Sequence, residues 1–158
     1  MYKEVAGNFV AEVMIPDVSG LATKKVAGNN EVGLMLRLPG DTNSTNRRPQ
    51  QQLVQNGIFP AWNVGNLFTN FQNGRREQNN IQSSWNYNKY LQIQREGNLV
   101  FVRTSKNGMD WVEMPGSPVL RNDLNGKAVQ IGLYQSTYGP GQAYGVFADF
   151  KLIERKVN

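Results

Sequence analysis

Histidine and cysteine are both absent from the chain. That removes thiolate nucleophiles, Ser-His-Asp triads, imidazole or thiolate metal sites and disulfides together. General acid–base chemistry would therefore fall to the twelve carboxylates. A carboxylate pair that cleaves a substrate by double displacement needs both groups on one face, about 5–5.5 Å apart, and alternate positions on a strand would supply that. Glu4, Glu12, Asp17, Glu31, Asp41, Glu77, Glu96, Asp110, Glu113, Asp123, Asp149 and Glu154 are instead dispersed. Only Asp110 and Glu113 fall close together, and an odd separation places them on opposite strand faces. They read as surface groups. Hard oxygen ligands near Asp41, Asp123 and Asp149 are weak candidates for a structural calcium ion, without the dense ligand run such a site usually has. No other cofactor is expected.

Binding chemistry is better represented. Hydroxyl-rich ligands are recognised by apolar ring faces with planar hydrogen-bonding groups around them. Asparagine (19) and glutamine (12) make up about a fifth of the chain, and each amide carries both a donor and an acceptor. Asparagine also fills turns, which is the plainer reading of any one of them. The stretch 59–90 holds Phe59, Trp62, Phe68, Phe71, Trp85, Tyr87 and Tyr90 among many amides. Trp62, Trp85 and Tyr87 lie in non-periodic segments, where binding residues concentrate on a rigid scaffold; some of these aromatics are equally suited to sealing a core edge. Arg37 stands between Leu36 and Leu38 on an alternating segment, so it must face away from the core. With Tyr90, Gln92, Gln94 and Tyr134 it is expected to line one outward surface if their strands adjoin. It would there either fork onto ligand hydroxyls or pair with an acid such as Glu12. Trp111 is expected to pack down onto its own turn, and Tyr138 and Tyr144 flank a Gly139-Pro140-Gly141 rim.

The elements that position these groups are strands. Period-2 alternation dominates. Phe9, Ala11, Val13 and Ile15 share one face, as do Val32, Leu34, Leu36 and Leu38 opposite Gly33, Met35 and Arg37. Segments 89–95, 127–134 and 145–153 alternate in the same way, 98–104 is largely apolar on both faces (Leu99 and Phe101 against Val100 and Val102), as a central strand would be, and 65–72 and 75–82 form a weaker polar pair around Asn73-Gly74. Asn107-Gly108 supplies the positive φ angles of a tight hairpin between 98–104 and 111–114, and Pro39-Gly40 and Pro115-Gly116 end strands. No helical spacing extends beyond a turn, and the loop 41–52 has no periodicity. Eight to eleven short strands predict an all-β fold, a two-sheet antiparallel β-sandwich in one domain spanning 1–158, with one sheet's outer face free to curve into a groove.

The net charge of +5 is scattered. The pairs Arg47-Arg48 and Arg75-Arg76 read as loop or turn, and no nucleic-acid-binding pattern appears; a solvated basic surface explains them better than an acidic polysaccharide partner. No apolar run is long enough for a spanning helix, so neither nucleic acid nor membrane is an expected partner.

Several segments resemble bacterial concanavalin A-like lectin/glucanase domains, the laminin-G-like jelly rolls. Asn8-Phe9-Val10-Ala11-Glu12-Val13 followed by Glu31-Val32-Gly33-Leu34-Met35-Leu36-Arg37 is similar to the family's "fVxEV … aGLmlR" opening. Tyr90–Asn98 resembles its "lrIxRxGn" strand and Ser105–Trp111 its "S-x-D-G-x-x-W" hairpin. Ile131-Gly132-Leu133-Tyr134 and Ala148–Leu152 resemble its closing strands. Together they cover nearly the whole chain in the right order. The family usually carries an opening strand with a tryptophan before this segment; here only Tyr2 to Ala6 precede it, which points to a domain cut from a longer polypeptide. No signal peptide is recognisable in this chain.

The resemblance implies a jelly-roll sandwich attached to, or packed on, a secreted glycoside hydrolase or surface protein. It also implies extracellular, periplasmic or surface placement and carbohydrate as partner. The expected role is a non-catalytic carbohydrate-binding module using Arg37, Trp62, Trp85, Tyr87, Tyr90, Gln92 and Tyr134 on a concave sheet. The alternatives are a glycoside hydrolase or polysaccharide lyase of the same fold, the latter echoed in Gln130–Gln135, and a structural accessory domain.

Overall fold

The computed structural model describes residues 1–19, 29–39, 52–59, 65–83, 87–138 and 143–155. Twelve strands are found among them: β1 Tyr2–Val5, β2 Asn8–Val18, β3 Asn29–Arg37, β4 Leu53–Phe59, β5 Gly65–Gln72, β6 Arg75–Ser83, β7 Tyr90–Glu96, β8 Leu99–Ser105, β9 Val112–Glu113, β10 Val119–Leu120, β11 Val129–Tyr138 and β12 Gly145–Arg155. One 3-10 turn, Asn122–Leu124, precedes β11. The first sheet runs β1-β11-β3-β4-β5-β6 and the second β10-β8-β7-β2-β12, with β9 also on β8. Every pairing is antiparallel.

The alternating rows meet between the sheets. Phe9, Ala11, Val13 and Ile15 of β2 and Leu91 and Ile93 of β7 face Leu34 and Leu36 of β3, Ile58 of β4, Phe68 of β5 and Ile131 of β11, all of them buried. Burying each large side chain contributes about 1.5–3 kcal/mol, and it fixes register, because a one-residue slip would send a whole row to solvent.

Strand β4 carries no alternation signal because its inward row is Val54, Asn56, Ile58. Asn56 is fully buried. Its amide donates across the core to the backbone carbonyls of Gln92 (3.0 Å) and Arg103 (2.7 Å). Asn66 does the same from β5, donating to the Asn88 carbonyl at 2.9 Å and accepting from the Asn88 N–H at 2.8 Å. These asparagines fill no turn and face no ligand; they tie one sheet to the other, which buried amides must do to avoid an unmet hydrogen bond.

Two arginines are inward as well. Arg121 is fully buried. It donates from Nε and Nη2 to Asp123 at 2.8 and 2.7 Å and from Nη1 to Asn70 Oδ1 at 3.0 Å. Arg95 donates to the carbonyls of Gly97, Lys127 and Leu124, closing the loop after the 3-10 turn. Burial lowers its pKa. The pair Arg75-Arg76, expected in a turn, instead opens β6 directly after the Asn73-Gly74 turn.

The positive φ angles of Asn73 (51°) and Gly74 (75°) make the predicted two-residue turn. Asn107-Gly108 does not make one. β8 ends at Ser105 and pairs again only at Val112, and the intervening loop is held by the Asn107 side chain. Asn107 Oδ1 accepts from the Met109 and Asp110 N–H groups, both at 2.9 Å, and Nδ2 donates to Asp110 at 2.7 Å.

Candidate functional site

The sandwich has two outer faces, and the sequence candidates divide between them. On the first sheet, outward positions of β3 are Glu31, Gly33, Met35 and Arg37. Across from them on β11 stand Ser136, Tyr134, Gly132 and Gln130 in register. On the second sheet, outward positions of β7 are Tyr90, Gln92 and Gln94, beside Glu12 and Met14 of β2. Arg37 and Tyr134 therefore share one surface, while Tyr90 and Gln92 lie on the opposite one. The expectation of a single surface made from all of them is corrected. Alternation says only whether a side chain points in or out of its own sheet; it does not say which sheet a strand joins.

Arg37, Tyr134, Tyr2, Met35, Gln130 and Gln135 line a depression of about 300 Å³ on the first face. The pairings explain the convergence. Tyr2 stands opposite Gly132, and a Cβ at Gly132 would lie 2.6 Å from the Tyr2 Cα, so glycine lets β1 close onto β11 there. Arg37 Nε donates to Gln130 Oε1 at 2.9 Å, and its guanidinium lies 5.5 Å from the centre of the Tyr2 ring, within cation–π range. Among the described residues its two Nη groups make no hydrogen bond. Arg37 does not pair with Glu12, which accepts instead from Gln92 Nε2 at 2.9 Å on the other face.

At the far end of β3, the Tyr134 hydroxyl donates to Glu31 Oε1. Glu31 is only 5% exposed. Burial raises its pKa, and the Tyr134 hydrogen bond and the Arg76 charge oppose that rise. The phenol lies across a glycine: a Cβ on Gly57 would sit 2.4 Å from the Tyr134 hydroxyl oxygen. Sequence reasoning missed Glu31. Extending the outward row Gly33, Met35, Arg37 back by one step would have found it.

Three structural comparisons share this architecture. A functionally unknown protein from Saccharomyces cerevisiae matches with a TM-score of 0.68 at 14% identity, over 99% of this chain and 75% of that one. A GH43 protein from Bacillus licheniformis matches with a TM-score of 0.68 at 12% identity, over 94% of this chain and 28% of that one. A β-glucanase from Bacillus licheniformis matches with a TM-score of 0.54 at 9% identity, over 98% and 69%. The chain has the concanavalin A-like jelly-roll fold. No protein-family model matches it, and no curated protein resembles it in sequence.

Within this concanavalin A-like sandwich the remaining candidates fall elsewhere. Tyr87 packs against the edge of the core, where burial and the Asp17 charge raise its pKa. Gln92 is buried in a polar network, accepting from Arg103 Nη1 at 2.9 Å. Arg103 also covers the Phe101 ring at 4.7 Å and pairs with Glu113 at 3.2 Å. Trp62, Trp85 and Asp41 lie outside the described residues. Of the other calcium candidates, Asp123 gives both carboxylate oxygens to Arg121, which takes it out of any ligand set. Asp149 stands exposed on β12 with φ of 52°. No cluster of three potential metal ligands occurs among the described residues.

Proposed function

We propose that this protein is a non-catalytic carbohydrate-binding module whose ligand lies on the outer face of β1, β11 and β3. The reading is carried by one observation: Arg37, anchored through Nε on Gln130, has both Nη groups without a hydrogen bond among the described residues, beside the rings of Tyr2 and Tyr134. A planar donor fork flanked by aromatic faces suits vicinal sugar hydroxyls and the C–H face of their ring. A volume of about 300 Å³ is at the small end of ligand sites and suits one or two sugar units. The β-glucanase among the similar structures acts, by its name, on a glucan, which supports a saccharide as the ligand class; at 9% identity it does not say which.

The test is binding to a glycan array, followed by calorimetry on the glycans retained. Arg37→Ala is expected to weaken binding about tenfold or more, the consequence of losing hydrogen bonds from a charged donor, with an unchanged Tm. Unaltered binding by both Arg37→Ala and Gln130→Ala would overturn the site.

Catalysis is the second reading, favoured by the contact of Glu31 with Tyr134. A carboxyl group with a raised pKa beside a phenol has the makings of an acid–base pair. A retaining or inverting dyad would need a second carboxylate on the same face, and Glu4 stands level with Arg37, six residues along β3 from Glu31 and so roughly 20 Å away. Turnover on a polysaccharide panel that is abolished by Glu31→Gln would replace the binding reading with this one.

A further inference from the structure

The opposite outer face carries a depression that the reading above does not use. Its volume is about 290 Å³, and Glu12, Tyr90, Asn107, Trp111, Asp149 and Lys151 line it. Met109 stands at its rim, 76% exposed. We propose that it is a second, independent binding site, for a single neutral hydroxyl-bearing ring of the pyranose class.

Three elements build the site. The 106–111 loop is tied down by Asn107 and by Ser105 Oγ, which accepts from the Gly108 N–H at 3.0 Å. Tyr90 of β7 lies against that loop: a Cβ on Gly108 would be 3.0 Å from the Tyr90 ring, and Gly108 has φ of 76°, so only glycine brings loop and ring together without strain. Strand β12 supplies the third wall. Its pairing with β2 slips between Val146 and Ala148 and again between Ala148 and Lys151, and Asp149 sits in the left-handed region within the second slip. Bulges of this kind turn a side chain to a new direction and also blunt an edge strand against aggregation. A glycine or asparagine would serve the blunting role equally well; an aspartate adds a charge to the wall of a depression.

The chemistry of the lining selects the ligand. Tyr90 and Trp111 put two aromatic side chains in the lining. Among the described residues, Asp149 and Lys151 make no hydrogen bond or ion pair, and neither the Tyr90 hydroxyl nor the Trp111 indole N–H has a partner. Glu12 has spent one oxygen on Gln92. The charged groups of the lining are of both signs, two carboxylates and one ammonium, so acceptors and a donor face the same space. A neutral ring with several hydroxyls can accept from Lys151 and the indole, donate to Asp149 and Glu12, and lay its C–H face on an aromatic. The volume is ample for one such ring. Because the two depressions open on opposite outer faces, a module with both filled could join two glycan chains, gaining retention through effective concentration without tighter single sites.

The experiment is an amide chemical-shift titration of the intact chain with glucose, xylose, galactose and mannose in turn. Saturable shifts in Asn107, Trp111 and Lys151 are expected, surviving in Arg37→Ala. They should weaken about tenfold in Asp149→Gly, which keeps the left-handed backbone, and in Trp111→Ala. Shifts confined to Arg37, Gln130 and Tyr134 would overturn this proposal and leave the first site standing. Shifts at Asn107, Trp111 and Lys151 that Asp149→Gly and Trp111→Ala both leave unchanged would overturn it too, and the absence of shifts at either place with all four sugars would count against both sites.

Discussion

Tyr134→Phe is the sharpest test of the floor of the first face. The substitution keeps the ring over Gly57 and deletes only the hydroxyl that donates to Glu31. A hydrogen bond to a charged group contributes about 1.5–3 kcal/mol, so a loss of about 2 kcal/mol is expected near neutral pH. The loss must depend on pH. Glu31 has a raised pKa when folded because it is buried. Between the ordinary carboxylate range and the raised value, the folded protein therefore holds a proton that the unfolded chain has released. The stability from this group is present below the ordinary carboxylate range and is lost as pH rises through the raised value. Removing Tyr134's donor raises that value further and deepens the loss. Below both values Glu31 is a neutral acceptor in either protein, and the cost of Tyr134→Phe should fall towards the ~1 kcal/mol of a neutral hydrogen bond.

Urea unfolding of wild type, Tyr134→Phe, Glu31→Gln and the double variant across pH 4–8 would read this. Glu31→Gln should flatten the pH dependence and shrink the effect of Tyr134→Phe to the neutral value. A Tyr134→Phe cost that is the same at every pH, or below about 0.5 kcal/mol throughout, would refute the assignment of Glu31 as a buried carboxylate held by Tyr134.

Asn56→Ala leaves the carbonyls of Gln92 and Arg103 without their cross-core donor and should cost about 2–4 kcal/mol in chemical denaturation. Asn56→Leu should cost less, since it fills the space and also removes the Asn56 Oδ1 that has no partner. Arg121→Met strands Asp123 and Asn70, and Asp123→Asn strands a fully buried guanidinium. The second should cost more, about 3–5 kcal/mol, and an Asp123→Asn protein as stable as wild type would show that the pair is not what holds the loop before β11.

Composition and period-2 spacing were enough to establish a two-layer antiparallel protein, because in-or-out alternation is a local property that each strand carries in its own residues. Phe9 to Ile15 and Val32 to Leu36 announce their buried rows without reference to anything distant, and Asn73-Gly74 announces its own turn. Glu31 was open to the same reasoning, one step back along the outward row that ends in Arg37. What needed the tertiary structure was the partner of each strand. β3 lies beside β11 and β7 beside β2 through contacts far apart in the chain, so nothing local could say that Arg37 and Tyr134 would meet while Tyr90 and Gln92 faced the other way. Strand β4 stayed hidden for a related reason. Asn56 looks exposed until two carbonyls of the opposite sheet are seen to satisfy it, just as Arg121 looks exposed until Asp123 and Asn70 close around its guanidinium. A polar side chain is cheap to bury only where partners await it, and where those partners stand is decided by the fold.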